Sequence, residues 1–156
     1  MTKKLLVGTV AAALMLGAAV PATAHGEGKR FKESKVRHDI MEVFGKGFGK
    51  ISKIMKGEEG TPAELPTIAK KMAEASTKTK ASFEKDTRGM EGFTEAKDEI
   101  WDNWEDFADR LDKMEVDAQA FAAAAETGDM AQIGPAMKQL GSNCKSCHDK
   151  YKADLD

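Results

Sequence analysis

Apolar residues recur every three to four positions through four long segments of this chain. Beyond residue 24, no segment alternates apolar and polar residues in the two-residue period of a strand. A repeat of this length places apolar side chains along one side of a helix, so each segment needs a partner to cover it. Because most connections are short, the sequence predicts an all-α fold, an antiparallel up-down four-helix bundle.

The first two helices have clear expected boundaries. The first is predicted over roughly residues 29–56 and ends at Gly57. Residues 61–64 then open the second helix with a capping box and a proline in its first turn, and its apolar stripe reaches Phe83. The first helix carries its predicted core positions in two adjacent stripes: Val36, Ile40, Val43, Gly47, Ile51 and Ile54, then Met41, Phe44, Phe48 and Met55.

The last two helices follow a loop over residues 87–94. The third is predicted over roughly residues 95–126 and ends at Gly128. Asp129 is expected to cap the fourth, and Pro135 to kink its first turns or to delay its start. The predicted buried stripes are, in the third helix, Trp101, Trp104, Phe107 or Ala108, Leu111, Met114, Ala118, Phe121 and Ala125, and in the fourth, Ile133, Met137, Leu140, Cys144, Cys147 and Tyr151.

Residues 1–24 have the pattern of a secretory signal peptide. Lys3 and Lys4 precede an uncharged apolar run over residues 5–20, and Ala22-Thr23-Ala24 is a small-x-small cleavage site. The run is shorter than the roughly 18–20 apolar residues that cross a bilayer, so we expect cleavage after Ala24 rather than a membrane anchor. The sequence therefore predicts export to a periplasm and one mature domain over residues 25–156.

Charge excludes one class of partner. The formal net charge of the chain is −2, and removal of Lys3 and Lys4 with the signal peptide makes it −4. A nucleic-acid-binding protein needs a basic stripe to neutralise phosphates, and no such stripe remains. We therefore expect no nucleic-acid partner.

One motif carries chemistry. Cys144-Lys145-Ser146-Cys147-His148 fits C-x-x-C-H, the attachment motif of c-type haem, and it contains both cysteines of the chain. Three residues on a helix place two thiols on one side, where they can add to the two vinyl groups of haem, and the histidine can then bind the iron. A thioredoxin-like pair would require an α/β fold, and a zinc site would require a fourth ligand. The sequence therefore predicts one covalent haem c.

The scarcity of aromatic residues agrees with a bound cofactor. Aromatic side chains make up 6% of the chain, although a core of this size usually relies on more of them. A haem is a flat apolar disc larger than any side chain, and it can fill the volume that aromatic side chains leave. We therefore expect the chain without haem to be poorly packed.

Two stretches resemble the class II c-type cytochromes, the cytochrome c-prime family. The more specific runs from Leu140-Gly141 through the haem motif to Tyr151, and the other contains Arg37, Met41 and Phe48-Gly49. The resemblance covers essentially all of residues 29–156. It implies an exported four-helix bundle with the haem motif in the last helix and His148 as the proximal iron ligand.

The same resemblance indicates what occupies the second axial position of the iron. In the low-spin branch of the family a methionine of the first helix is the ligand, and that position corresponds to Met41 here. Ordinary core packing is the alternative for Met41. Arg37, one turn earlier, is either a contact to a haem propionate or a solvated surface arginine. Lys152 departs from the family, since many five-coordinate members carry arginine after the aromatic residue.

Two functions follow from this choice of ligand. With Met41 and His148 both bound, the iron has no open site, and the protein is an electron carrier that works with redox partner proteins and is not an enzyme. With Met41 unbound, the haem is five-coordinate and binds nitric oxide or carbon monoxide for sensing or detoxification. Family members occur as monomers and as homodimers. Near the motif, four lysines form either a docking patch or a solvated face: Lys138, Lys145, Lys150 and Lys152.

Overall fold

The computed structural model describes residues 28–154, which contain five α-helices and no strand. The predicted signal peptide lies outside the described residues. Two short 3₁₀ segments, Pro62–Glu64 and Lys80–Phe83, flank the second helix. The helices are α1 (Lys32–Lys56), α2 (Leu65–Thr79), α3 (Glu99–Asp102), α4 (Trp104–Thr127) and α5 (Met130–Tyr151).

Helix α1 ends as the sequence predicts, but part of its predicted stripe is wrong. Gly57 ends the helix in the left-handed conformation, with φ 69°. Phe44, Ile51 and Ile54 are buried, whereas Val36 and Met55 are 44% and 46% exposed. Both exposed residues lie at the edge of the apolar face, where the neighbouring helices no longer cover them.

The contact between α1 and α2 depends on Gly47. A Cβ atom built on Gly47 would lie 2.6 Å from Sδ of Met72, closer than non-bonded atoms approach. The predicted stripe of α2 is confirmed at Leu65, Met72, Thr79 and Phe83, which are all buried. The two helices therefore pack closely at the level of Met72.

The third predicted helix is wrong over its first turns. Helix α3 ends at Asp102, because the next residue, Asn103, has a φ of −125° and a ψ of 43°, which are not helical. Helix α4 then begins at Trp104. Residues 95–98 are not helical at all, since their backbone pairs with the end of α5: the N–H of Lys97 donates to the carbonyl of Tyr151 at 3.1 Å. We refer to residues 92–97 as the strap. A tertiary contact thus replaces the local helix.

Helix α5 starts where the sequence predicts. The carboxylate of Asp129 accepts a hydrogen bond of 2.9 Å from the N–H of Ala131, so it caps the helix. Pro135 lies inside the helix and does not delay its start at Met130. Ile133, Leu140 and Tyr151 are buried along the stripe, and Cys144 and Cys147 are half-buried.

The long helices form the predicted four-helix bundle, with α3 leading into α4. Helix α1 packs on α2, α2 on α4, and α4 on α5, whereas α1 and α5 pack little against each other. They approach at Phe48 and Gly141, where a Cβ on Gly141 would lie 3.9 Å from Cε1 of Phe48. Within residues 28–154, none of the helices has both the length and the apolarity needed to cross a membrane.

Candidate functional site

An apolar cavity of about 270 Å³ lies between α1 and α5. Helix α4 closes its inner side with Phe107, Leu111 and Met114, and residues 94–96 of the strap form part of its wall. Since α1 and α5 do not pack on each other along this length, the bundle leaves room for a large apolar group between them.

The wall formed by α5 carries the haem motif. Cys144, Cys147 and His148 all line the cavity, and the two thiols are free and half-buried. Burial raises the pKa of both thiols, that of Cys147 to about 11. A thioredoxin-like redox pair depends on a thiol whose pKa is lowered, and burial here acts in the opposite direction.

His148 lies at the mouth of the cavity and is exposed. Although the residue as a whole is exposed, neighbouring protein atoms partly desolvate its ring, and this effect and next the positive charge of Lys152 lower its pKa below the usual histidine value. The neutral imidazole that this favours is the form that binds a metal ion. Four residues separate His148 from Lys152, one helical turn, which accounts for the effect of the lysine.

The wall formed by α1 carries Met41. Its side chain is half-buried and lines the same cavity as the haem motif, together with Phe44 and Phe48. A thioether on α1 and an imidazole on α5 therefore border one space. Met114 is the other methionine of the lining, and it lies on α4.

Arg37 also borders the cavity but is not a surface residue, so the solvated alternative is wrong. Arg37 is 4% exposed, and its guanidinium lies 4.6 Å from the ring centroid of Phe83. Nε donates to the carbonyl of Ser82 at 2.9 Å, Nη1 to the hydroxyl of Thr87 at 2.9 Å, and Nη2 to the carbonyl of Lys85 at 3.2 Å. Burial lowers its pKa. No carboxylate among the described residues pairs with it.

His38 lies at the cavity, whereas Trp101 and Trp104 pack against the core. His38, the residue after Arg37, is exposed and also lines the cavity. Trp101 and Trp104 are half-buried and do not line the cavity, which agrees with core packing. The indole of Trp101 donates to the carbonyl of Phe83 at 3.0 Å, so it holds the segment that follows α2.

The strap adds a charged residue that the sequence analysis does not identify. One carboxylate oxygen of Glu95 accepts from Arg30 and the other from Lys152, each at 3.1 Å. Burial alone would raise the pKa of Glu95, but the hydrogen bonds from Lys152 and Arg30 outweigh burial and lower it. The three residues border the cavity mouth. They are far apart in the chain, so no local pattern indicates the cluster.

The structure does not favour a positive docking patch at the lysines near the motif. Lys145 pairs with Asp149 at 2.6 Å, and Lys150 with Asp106 at 3.0 Å. Lys152 pairs with Glu95, as described above. Lys138 forms no ion pair among the described residues, so three of the four charges are compensated and one is not.

The cavity and its donors fit a haem c. The walls are apolar, as the macrocycle requires. Two thiols and an imidazole at C-x-x-C-H spacing lie on one wall, and a thioether on another. Cys144 and Cys147 could bind the vinyl groups, and His148 and Met41 could bind the iron from the two sides.

The comparisons with known proteins agree with this site. The family model described as Cytochrome C' matches residues 32–152. The chain is 31% identical over 144 residues to cytochrome c-556 of Agrobacterium fabrum, covering 92% of this chain and 94% of that protein. It also resembles cytochrome c' of Rhodospirillum rubrum, 38% identical over 100 residues, which are 64% of this chain and 67% of that protein.

Solved structures show the same fold. Cytochrome c prime from Shewanella frigidimarina superimposes with a TM-score of 0.71 at 29% identity, covering 80% of this chain and 100% of that one. Homologues in this family carry one covalently bound haem c. The family match and the relatives show that the chain belongs to the cytochrome c' family.

Proposed function

We propose that the protein is an electron-transfer c-type cytochrome with one haem c, held by Cys144 and Cys147 and ligated by His148 and Met41. The observation that carries the proposal is the cavity that the haem motif and Met41 border together. Proteins of this family are haem electron carriers or gas-binding proteins rather than enzymes in the usual sense. Bound haem supplies the Fe(III)/Fe(II) couple.

The residues of α5 fix the group. The thiols of Cys144 and Cys147 would form the thioethers, and both line the cavity, where partial burial limits their access to oxidants in solvent. His148 donates an imidazole nitrogen to the iron. All three residues lie within two consecutive turns of α5, so one rigid helix would position both the attachment cysteines and the proximal ligand.

Met41 closes the second axial position. A thioether favours the ferrous state and raises the reduction potential, and a filled position leaves no site for a substrate. Phe44, Phe48 and Leu111 exclude water from the cavity wall around it. A change of oxidation state then requires little change in ligation, which suits electron transfer.

Arg37 contacts a haem propionate in this proposal. Three of its five N–H groups donate to residues 82–87, so two have no acceptor in these hydrogen bonds, and the residue borders the cavity. Its charge is buried and has no carboxylate partner among residues 28–154. An anion in the cavity would supply the missing counter-charge, since a buried unpaired charge is costly.

Gas binding is the second candidate function. Members of the family often bind nitric oxide or carbon monoxide. This function requires Met41 to leave the iron open. Met41 is half-buried and lies on α1, which packs little against α5. The two candidate functions use the same cavity and differ only in whether Met41 binds the iron.

The ferric absorption spectrum separates the two functions. For electron transfer we expect a low-spin spectrum with the weak sulfur-to-iron band. Met41→Leu should convert it to a high-spin spectrum, because leucine keeps the volume but has no sulfur. Met114→Leu is the matched control, since Met114 also lines the cavity, and it should stay low-spin. A high-spin wild type that binds carbon monoxide readily would favour gas binding.

We also propose export to the periplasm by cleavage after Ala24. Proteins of the family are periplasmic in general. Intact mass measurement of the haem-loaded protein from a periplasmic fraction tests this. A chain that begins at His25 supports the proposal, and a chain that retains residues 1–24 contradicts it.

The partners are redox proteins whose identity the sequence leaves open. The protein works as a monomer or a homodimer, and one solved cytochrome c' of similar fold has a ligand-controlled dimer dissociation. Light scattering of the ferric and the carbon monoxide-bound ferrous protein measures both the oligomeric state and its dependence on a ligand.

A further inference from the structure

The two proposed axial ligands belong to helices that barely touch. Met41 lies on α1 and His148 on α5, and these helices pack against α2 and α4 instead of against each other. They approach at Phe48 and Gly141. Toward the start of α1 and the end of α5 they separate, and the cavity opens between them.

The backbone of the strap spans this opening. On the α1 side, the N–H of Phe93 donates to the carbonyl of Lys29 at 3.1 Å, and the hydroxyl of Ser34 donates to the carbonyl of Phe93 at 2.7 Å. On the α5 side, the N–H of Ala153 donates to the carbonyl of Glu95 at 2.8 Å. One segment therefore holds both helix ends.

The side chain of Glu95 makes a second connection between the start of α1 and the end of α5, through two ion pairs. Arg30, two residues before α1, and Lys152, the residue after α5, each donate to a different oxygen of the same carboxylate. Among the ion pairs of residues 28–154, this is the one that joins the start of α1 to the end of α5. The side chains of Arg30 and Glu95 are only 18% and 27% exposed, so water screens their interaction less than at an open surface.

We propose that Glu95 is a positioning residue for the haem iron: by bridging Arg30 and Lys152 it fixes the separation of α1 and α5 and so holds Met41 against the iron. This rests on the proposed function, because it assumes that Met41 is a ligand. An iron–thioether bond between two helices requires both walls at a fixed distance. Phe48 and Gly141 fix one end, and Glu95 fixes the other.

Carbon monoxide binding to the ferrous protein measures this role. Carbon monoxide enters only when Met41 leaves the iron, so its binding rate reports how often that bond opens. Glu95→Gln keeps the size of the side chain but leaves one acceptor oxygen, which can hold only one of the two cations. We expect the binding rate to rise about fivefold, the effect of losing one well-formed ion pair.

Glu91→Gln is the matched control. Glu91 immediately precedes the strap, is exposed and forms no ion pair among the described residues, and its substitution makes the same change in charge. Its carbon monoxide rate should equal that of the wild type. An equal rise in both variants would mean that net charge is the cause, and this would overturn the proposal.

A double-mutant cycle distinguishes a bridge from two separate contacts. Arg30→Leu and Lys152→Leu each open the same bridge without adding a possible iron ligand, so the double variant should bind carbon monoxide no faster than the faster single variant. Additive effects would overturn the bridge. Amide hydrogen exchange of Lys97 and Ala153 gives a readout independent of the iron, and it should accelerate in Glu95→Gln but not in Glu91→Gln.

Failure of the proposal and failure of the proposed function give different results. A high-spin ferric wild type contradicts ligation by Met41 and overturns both. A low-spin wild type with an unchanged carbon monoxide rate in Glu95→Gln overturns only the positioning role of Glu95.

Discussion

The hydroxyl of Tyr151 donates a hydrogen bond of 2.5 Å to Oδ2 of Asp106. Tyr151 is buried three residues after His148, and its ring packs edge-on against Phe107, with the centroids 5.0 Å apart. The same carboxylate accepts from Arg110 at 2.8 Å and from Lys150 at 3.0 Å. Asp106 therefore ties the end of α5 to α4, directly behind the proposed proximal ligand.

This cluster predicts acid sensitivity. The hydrogen bonds from Arg110, Tyr151 and Lys150 hold the pKa of Asp106 well below the usual 3.8. A lowered carboxylate pKa contributes stability that is present above the ordinary value and is lost as the pH falls toward the folded one. Asp106→Asn should therefore lower the melting temperature at neutral pH, and the difference from wild type should shrink at about pH 3. Asp109→Asn, on the same helix, is the control, and an equal effect of the two substitutions would contradict the prediction.

Gly47→Ala should destabilise the protein. The new Cβ would lie 2.6 Å from Sδ of Met72, so the buried Met72 side chain must leave its position or the two helices must move apart, at a cost of about 1–3 kcal/mol in the free energy of unfolding. At Gly49, which is exposed on the same helix and does not line the cavity, a Cβ meets nothing within 4 Å, so Gly49→Ala should be neutral or stabilising by up to about 1 kcal/mol through helix propensity. Urea denaturation of both variants measures the contrast, and similar losses in the two would refute it.

Arg37→Leu should cost about 3 kcal/mol in the free energy of unfolding, because it removes the donor of three hydrogen bonds, one fully buried and two partly buried. Thr87→Val removes only one of these partners and should cost less. Denaturation of the haem-loaded protein compares the two. If Arg37 also contacts a propionate, Arg37→Leu should shift the reduction potential, whereas Thr87→Val should not.

Loss of haem attachment should leave the chain poorly packed. Cys144→Ala with Cys147→Ala prevents the thioethers, so the apolar cavity of about 270 Å³ is no longer filled by a covalently held group. Its apolar walls then lose the contacts that the group would make, and the net stability of a domain is small enough for such a loss to matter. We expect a broad, low-temperature unfolding transition by circular dichroism. The single variant Cys144→Ala, which keeps one thioether, should still melt cooperatively, and a sharp transition in the double variant would contradict the prediction.

Periodicity and capping predict most of the bundle because they are local properties. Gly57, Asp129 and the stripe of α2 lie as the sequence predicts, since each depends on neighbours within one or two turns. The haem motif is equally local, and it lines the cavity as expected. The exposure of Val36 and Met55 depends instead on how far the next helix reaches.

The remaining features depend on residues that are distant in the chain. Residues 95–98 have a helical pattern, yet hydrogen bonds to the end of α5 replace the helix. The sequence leaves the burial of Arg37 open, because its three acceptors lie at residues 82–87, in and after a 3₁₀ turn that no periodicity indicates. No local sequence pattern indicates the ion pairs of Glu95, because its two partners are near opposite ends of the described chain.

The position of Glu95 near the middle of the chain also affects how the protein folds. A direct contact between the segments that carry Arg30 and Lys152 would close almost the entire polypeptide into one loop. The contacts of Glu95 divide that loop into two, and the first spans 65 residues. Each smaller loop can close while the other is still open, and a contact between residues that are closer in the chain forms sooner on average. The terminal helices can therefore assemble one after the other on a central segment, before the haem has joined them.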